Sequence, residues 1–147
     1  NDWNDMQMQL ELHVKGFYNL IKAVIPIFEP NKYGKIIGLI TQYIEDPQPE
    51  LTHYITAKTA QLGLLKSLAV ELAPKGIRIN LISPGMTDTD LIADVPEKVK
   101  LLTAAKTPLR RLAYPEDVAG AVSYLVSQKS DYLTGETIRI NGGQVMI

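Results

Sequence analysis

Three short β-branched runs alternate with long helical patterns in this chain, and this alternation constrains the fold more than any other feature. The runs cover residues 35–40, 77–82 and 136–141. Each is bounded by glycine, proline or polar residues, as buried strands are. Strands that alternate with helices of this length form βαβ units with a parallel sheet and right-handed crossovers. The sequence therefore predicts a single α/β domain over residues 1–147.

The first helix is predicted within residues 2–28. Apolar residues from Trp3 to Val24 recur at steps of three and four, and further apolar positions widen the stripe. Such a pattern is typical of a helix that is buried on more than one side. Pro26 and Pro30 predict its end, because proline lacks the backbone N–H that an inner helical turn needs.

Two more helices are predicted between and after the later strands. One runs over residues 52–73 with Thr52 as its N-cap, and the other runs from Pro115 to about residue 127. The charged segment 87–106 is expected to form one or two short helices and to act as a lid.

Composition excludes several classes of function. The chain has 147 residues, 46% hydrophobic content, a formal net charge of −1 and no cysteine. The charge predicts no nucleic-acid partner, and the lack of a long apolar run predicts no membrane span. With no cysteine and only two histidines, His13 and His53, no metal site is expected. These features are compatible with a reducing compartment, and we expect a cytoplasmic protein.

Polar side chains gather where the predicted strands end. Ligands bind parallel sheets outside the carboxyl ends of the strands, and Thr41 and the turn Pro84-Gly85 both lie there. Tyr54 and Lys58 follow on the next helix, about 6 Å apart on one face. An ammonium group at that distance favours the tyrosinate, so Lys58 is expected to lower the phenol pKa towards working pH. Taken singly, such a pair is most often part of a solvated helix face, and a threonine after a strand is usually an ordinary turn residue.

In combination these motifs resemble the short-chain dehydrogenase/reductase family. The ordered set is Thr41, thirteen residues before Tyr54-x-x-x-Lys58, then "GIRINLISPGMTDT" and finally "YLTGETIRINGG". The similarity is greatest to 3-oxoacyl-acyl-carrier-protein reductases and spans essentially the whole chain. It implies a Rossmann-type doubly wound parallel sheet, of which this chain would be the C-terminal half of a three-layer αβα sandwich. It also implies hydride transfer between NAD or NADP and a carbonyl or alcohol.

The resemblance further implies roles for single residues. Tyr54 would be the general acid/base, and Lys58 would lower its pKa and hold the nicotinamide ribose. Thr41 falls where the family has a substrate-orienting serine, and its extra methyl group makes the side chain stiffer. His13 falls where the family has an asparagine that anchors a proton relay. Imidazole can serve as a relay, although a histidine on an apolar helical face is also compatible with a simple core residue.

The cofactor would contact the end of the second strand and the residues after it. Pro84 and Gly85 would pack on the nicotinamide, the Thr87 backbone would meet its carboxamide, and the Thr89 hydroxyl would lie near the amide or phosphate. The glycine-rich turn that cradles a pyrophosphate does not occur in the sequence. We therefore expect the dinucleotide-phosphate-binding N-terminal half to be absent from this chain.

Two functions remain open at this point. The first is an NAD(P)-dependent oxidoreductase acting on a ketoacyl thioester, a sugar, a steroid-like alcohol or a small ketone. The second is a non-catalytic domain that keeps the fold for binding or assembly. Under either reading, helices 2–28 and 52–73 are expected to form a homodimer or homotetramer interface, as the matching helices do in the family.

Overall fold

The computed structural model describes residues 2–147. It contains five α-helices and three strands within that range. The helices are α1 (Trp3–Leu10), α2 (Gly16–Phe28), α3 (Thr52–Leu72), α4 (Glu97–Lys106) and α5 (Pro115–Val126), and the strands are β1 (Gly34–Leu39), β2 (Ile77–Pro84) and β3 (Thr137–Ile140). A π-helical segment, Glu11–Lys15, joins α1 to α2 without a break. The predicted order of helices and strands is confirmed.

The three strands form one parallel sheet in the order β1-β2-β3. Leu39 pairs with Ile82, and Leu81 pairs with Thr137, so the carboxyl ends of all three strands meet at one edge. The loops that follow these ends carry the polar residues singled out in the sequence. The predicted parallel α/β sheet is therefore confirmed.

The two faces of the sheet are covered by different helices. On one face α2 and α3 pack on alternate strand residues such as Ile36 and Ile79, and this contact forms the main core around Leu65. The intervening residues face the other side. There Lys35 pairs with Asp131 at 2.8 Å, in the segment that follows α5. The sheet thus lies between two helical layers, as a doubly wound α/β fold requires.

Helix α3 approaches β1 unusually closely at Gly38. A Cβ atom added to Gly38 would lie 2.3 Å from the Leu65 Cδ1 atom, well inside van der Waals contact. Leu65 itself is fully buried. A side chain at position 38 would have to displace Leu65, so Gly38 allows α3 to pack closely on the end of β1.

Two details of the predicted helices are wrong. Pro26 does not end the first helix, which continues to Phe28 with Pro26 inside it. A proline this close to a helix end removes only one hydrogen bond, and Pro26 lies on the exposed side. Thr52 is not an N-cap, because the N-cap position is Leu51 and Thr52 is already helical. The segment 87–106 contains a short 3₁₀ turn and α4, as expected.

None of the helices between residues 2 and 147 is both long enough and apolar enough to cross a membrane.

Candidate active site

Thr41 is placed directly after β1, where the chain leaves the sheet. Its side chain is 6% exposed, and its hydroxyl oxygen accepts a hydrogen bond from the Tyr43 backbone N–H at 3.3 Å. This contact caps the short 3₁₀ turn Gln42–Ile44. The capped turn keeps the Thr41 hydroxyl at the sheet edge and close to the start of α3.

Tyr54 lies in the first turn of α3 and faces Thr41. Burial raises the pKa of Tyr54 above its ordinary value of 10.0, a hydrogen bond with the Thr41 side chain acts in the opposite direction, and nearby Tyr43 raises it further. The direction is the reverse of the one expected from the sequence. Desolvation of the phenolate is the largest effect in this site, and Thr41 rather than Lys58 opposes it.

Lys58 lies one turn further along α3 and is 8% exposed. Its Nζ atom is 5.9 Å from the centre of the Tyr54 ring. The ammonium group donates to the Leu39 carbonyl oxygen at 2.8 Å and to the Gln61 Oε1 atom at 3.2 Å. Burial lowers the Lys58 pKa from 10.5 to about 8. The lysine is thus held at the end of β1 by two neutral acceptors.

His13 reaches the same site from the π-helical segment. Its ring meets the Tyr54 ring edge-on, with centres 5.6 Å apart and planes at 75°. Burial lowers the pKa of His13 below 6.5, and the positive charge of Lys58 lowers it further. The imidazole is therefore neutral at pH 7, and can both accept and donate a hydrogen bond. A π-helical turn inside an α-helix is often found at functional sites.

The Pro84-Gly85 turn lies beside Thr41 at the same edge. Pro84 is the last residue of β2, and the Gly85 N–H donates to the Ile140 carbonyl oxygen at 2.9 Å. A Cβ atom on Gly85 would lie 3.1 Å from the Asn141 Cα atom and 3.3 Å from the Gln42 Oε1 atom. The turn is thus packed tightly between the segments that follow β1 and β3.

Thr87 and Thr89 lie in the segment after β2 and organise its backbone. The Thr87 hydroxyl donates to the Gly85 carbonyl oxygen at 3.1 Å, and the Thr89 hydroxyl donates to the Thr87 carbonyl oxygen at 3.5 Å. Thr87 also pairs with Ala113 in an isolated parallel bridge. The structure therefore brings Thr41, Tyr54, Lys58 and His13 together, while the exposed Thr89 lies directly before the 3₁₀ turn Asp90–Ile92.

Sequence reasoning missed two polar residues beside this site. Gln61 is 2% exposed and contacts Lys58, and Gln42 is 1% exposed and donates to the Gln144 Oε1 atom at 2.8 Å. The position of Gln61 was visible in advance, since it is a lone amide three residues after Lys58 in a helix rich in alanine and leucine. The contact of Gln42 with Gln144 spans 102 residues and has no local signal.

The site fits the nicotinamide end of a dinucleotide. Lys58 has three N–H donors and uses two of them on Leu39 and Gln61, which leaves one for a ligand hydroxyl. The Thr41 and Tyr54 hydroxyls lie beside it and can bind a carbonyl or alcohol oxygen. The 147 residues contain no G-x-G-x-x-G pattern, which is the motif that binds a dinucleotide pyrophosphate in many such folds.

Comparison with known proteins identifies the family. A family model described as enoyl-(acyl carrier protein) reductase matches residues 1–144. The chain belongs to the short-chain dehydrogenase/reductase family. It is 33% identical over 143 residues to a 3-oxoacyl-[acyl-carrier-protein] reductase of Rickettsia felis, covering 97% of this chain and 59% of the relative. It is 40% identical over 138 residues to the pig dehydrogenase/reductase SDR family member 4, covering 91% of this chain and 49% of the relative.

Solved structures of the family superpose on the full length of this chain. A 7α-hydroxysteroid dehydrogenase, solved with NADH and 7-oxo glycochenodeoxycholic acid, superposes with a TM-score of 0.94 at 30% identity, covering 100% of this chain and 58% of that one. A 3-oxoacyl-[acyl-carrier protein] reductase of Brucella melitensis with bound NAD gives 0.90 at 29% identity, covering 100% and 54%. The chain spans 49–59% of the length of the curated relatives that it matches.

Proposed function

We propose that this chain carries the proton-transfer half of an NAD(P)-dependent oxidoreductase that acts on a carbonyl or alcohol, most like a 3-oxoacyl-acyl-carrier-protein reductase. The observation that carries the proposal is the convergence of Thr41, Tyr54 and Lys58 at the end of β1. Two separate stretches of sequence, the turn after β1 and the start of α3, bring these groups to the sheet edge where parallel α/β folds bind ligands. Family membership supports the same reaction class.

Each residue has a distinct role in the proposed reaction. The Thr41 and Tyr54 hydroxyls bind the substrate oxygen, and Tyr54 transfers its proton to that oxygen as a carbonyl becomes an alcohol. When bound, the nicotinamide supplies the hydride for the carbonyl carbon or accepts it in the reverse direction. Because the pKa of Tyr54 is raised, the phenol holds its proton at neutral pH and is ready to act as an acid. In the reverse direction Tyr54 must first lose that proton, so alkaline pH favours alcohol oxidation.

The proposed cofactor contacts lie at the same edge of the sheet. Lys58 would hold the nicotinamide ribose through its remaining N–H, and Pro84 and Gly85 would contact the nicotinamide ring. Thr87 and Thr89 would bind the carboxamide and the nearest phosphate. NAD and NADP are both compatible with these residues. We propose that the pyrophosphate is held by a preceding half outside these 147 residues, since the chain spans little more than half of its relatives.

The proposed partners are a small-molecule substrate and a second copy of the chain. The substrate is a small carbonyl or alcohol compound, with an acyl thioester among the candidates because several relatives are named as 3-oxoacyl-acyl-carrier-protein reductases. The long helix α1–α2 and helix α3 pair with those of a second copy, to give a homodimer or homotetramer. Exposed apolar side chains on α1 and α3, such as Met8 at 59% and Val70 at 76%, support this interface.

Phenylalanine in place of Tyr54 tests the proposed reaction. The variant keeps the ring and loses the proton donor, so turnover is expected to fall by about 10²- to 10⁴-fold while the fold is retained. The assay follows NADH and NADPH oxidation with a panel of ketoacyl thioesters, ketosteroids and small ketones. Tyr132→Phe is the matched control, because Tyr132 is fully exposed. Wild-type rates in Tyr54→Phe would overturn the assignment.

The alternative is a non-catalytic domain that serves in binding or assembly, and the exposed apolar helix face favours it. Fluorescence enhancement of NADH or NADPH separates the two functions. Enhancement that is lost in Lys58→Met supports the oxidoreductase. An assembled protein that gives neither enhancement nor turnover supports the alternative.

A further inference from the structure

A buried amide lies against the ammonium group of Lys58. The Gln61 Oε1 atom accepts from Lys58 Nζ at 3.2 Å, and both side chains are buried, with exposures of 2% and 8%. The two residues are three apart on α3, so they share one helix face. Nothing in the family pattern quoted for this chain extends to position 61.

The surroundings of Lys58 explain why such an acceptor matters. A buried ammonium group is stable only if hydrogen-bond acceptors replace its lost hydration. Around Lys58 these acceptors are the Leu39 carbonyl oxygen on β1 and the Gln61 amide on α3. The titratable groups that face it are His13, from the π-helical segment, and Tyr54, on α3. Neither is negatively charged at neutral pH. The hydrogen bonds to the Leu39 carbonyl and the Gln61 amide therefore stabilise the ammonium charge.

We propose that Gln61 is a positioning residue, whose amide oxygen keeps Lys58 protonated and holds its ammonium group at the end of β1. This proposal rests on the proposed function, in which Lys58 holds the cofactor ribose. Two N–H bonds of the ammonium group are fixed by Leu39 and Gln61, and tetrahedral geometry then fixes the direction of the third. Loss of Gln61 leaves one anchor, which frees the group to rotate and favours its neutral form.

Two substitutions at position 61 are expected to act in opposite directions. Gln61→Leu removes the acceptor with little change in volume, and is expected to lower the Lys58 pKa from about 8 by about one pH unit. Gln61→Glu keeps an acceptor and adds a negative charge, and is expected to raise it. If the leucine variant fails to fold, the glutamate variant still tests the direction of the change in the Lys58 pKa.

The Lys58 pKa is measured by NMR titration of protein labelled with ¹³C at the lysine Cε, with Lys58→Arg identifying the signal. Leu72→Ala is the matched control, since Leu72 is a buried core residue at the other end of the same helix. A merely structural Gln61 would behave like this control, with a lower melting temperature and an unchanged Lys58 pKa. That result would overturn the proposal.

Kinetics supply the second measurement. The KM for the dinucleotide is expected to rise above the Lys58 pKa, so its pH dependence shifts to lower pH in Gln61→Leu and to higher pH in Gln61→Glu. A full-length wild-type protein, including the half proposed to precede these 147 residues, that shows no turnover would refute the proposed function. The NMR titration needs no substrate or cofactor, and it would still decide the role of Gln61. Equal Lys58 pKa values in the wild type and both variants would refute the positioning role in either case.

Discussion

At the scale of single residues, the site is governed by desolvation. Burial is the largest cause of the pKa shifts of His13, Tyr54 and Lys58, and in each case it favours the uncharged form. Tyr54 therefore holds its proton at neutral pH, and His13 is a neutral imidazole. Lys58, with a pKa of about 8, loses its proton only slightly above neutral pH. The charge of Lys58 also acts on His13, whose pKa it lowers further.

His13 is the residue that departs most from the family pattern, and we propose that it acts as a proton relay. Because its pKa lies below 6.5, the imidazole becomes charged only in mildly acidic solution, where it loses its acceptor. Turnover is therefore expected to fall on that acidic side, and His13→Asn is expected to remove this limb of the pH profile. An acidic limb that is unchanged in His13→Asn would contradict the relay.

The charge of Lys58 supplies an internal check on this prediction. In Lys58→Met, NMR titration of the His13 ring is expected to give a higher pKa than in the wild type, still below 6.5 because burial is the larger cause. The stability of the fold is expected to depend on pH for the same reason. A histidine with a lowered folded-state pKa binds fewer protons than the unfolded chain, so stability falls as the pH drops from 6.5 through the folded-state value.

At the scale of secondary-structure elements, the position of the site depends on how closely α3 packs on β1. Gly38 and Leu65 are in contact where the two elements cross. Lys58 on α3 bonds to the Leu39 carbonyl on β1, one residue after Gly38. Any change that separates α3 from β1 therefore also separates Lys58 from its anchor.

Gly38→Ala is expected to destabilise the protein by about 1–3 kcal/mol, because the added methyl group overlaps the buried Leu65 side chain. Gly63→Ala is the matched control on the exposed side of α3, where an added Cβ has no neighbour within 4 Å. It is expected to stabilise the helix by about 0.5–1 kcal/mol. Urea unfolding measures both changes.

A double variant identifies the cause of the Gly38 effect. If the clash with Leu65 is responsible, Gly38→Ala combined with Leu65→Ala loses less stability than the sum of the two single changes. Strict additivity would show that the methyl group at position 38 is accommodated without contact with Leu65, and would refute this account of the packing.

At the scale of the whole molecule, one groove with an apolar lining lies on the helices of one layer. A groove between the long helix α1–α2 and α3 is lined by Leu10, Val14, Tyr18 and Leu64. Tyr18 is 44% exposed, and Leu12 and Leu20 on the same long helix are 63% and 55% exposed. Apolar patches of this kind on a folded protein mark interaction surfaces. The proposed partner is a second copy of the same two helices.

Tyr18→Glu tests the proposed interface. A carboxylate in an apolar helix interface is costly to desolvate, so the variant is expected to shift the assembled protein towards the 16.3 kDa chain. Tyr132→Glu is the control, because Tyr132 is fully exposed beyond α5. Light scattering after size exclusion measures the mass. A wild-type protein that is already monomeric at high concentration would contradict the interface.

Much of this protein follows from its sequence alone. Short β-branched runs alternate with longer segments whose apolar residues have helical spacing, and this alternation determines the order of strands and helices. Parallel pairing follows, and it places Thr41 and Pro84-Gly85 at one edge. The helical spacing of Tyr54 and Lys58 places both on one face. These conclusions use only local geometry and the direction of strands.

The tertiary structure decided what the local pattern does not contain. The sequence predicted that Lys58 lowers the pKa of Tyr54, but the pKa depends on how much water the fold removes, and burial reverses the direction. The rings of His13 and Tyr54 meet edge-on, although the two residues are 41 positions apart in the sequence. The distance between the rings depends on the π-helical turn and on the packing of the helices. Contacts between distant segments, such as that of Gln42 with Gln144, depend on the complete fold, because no local rule relates residues so far apart.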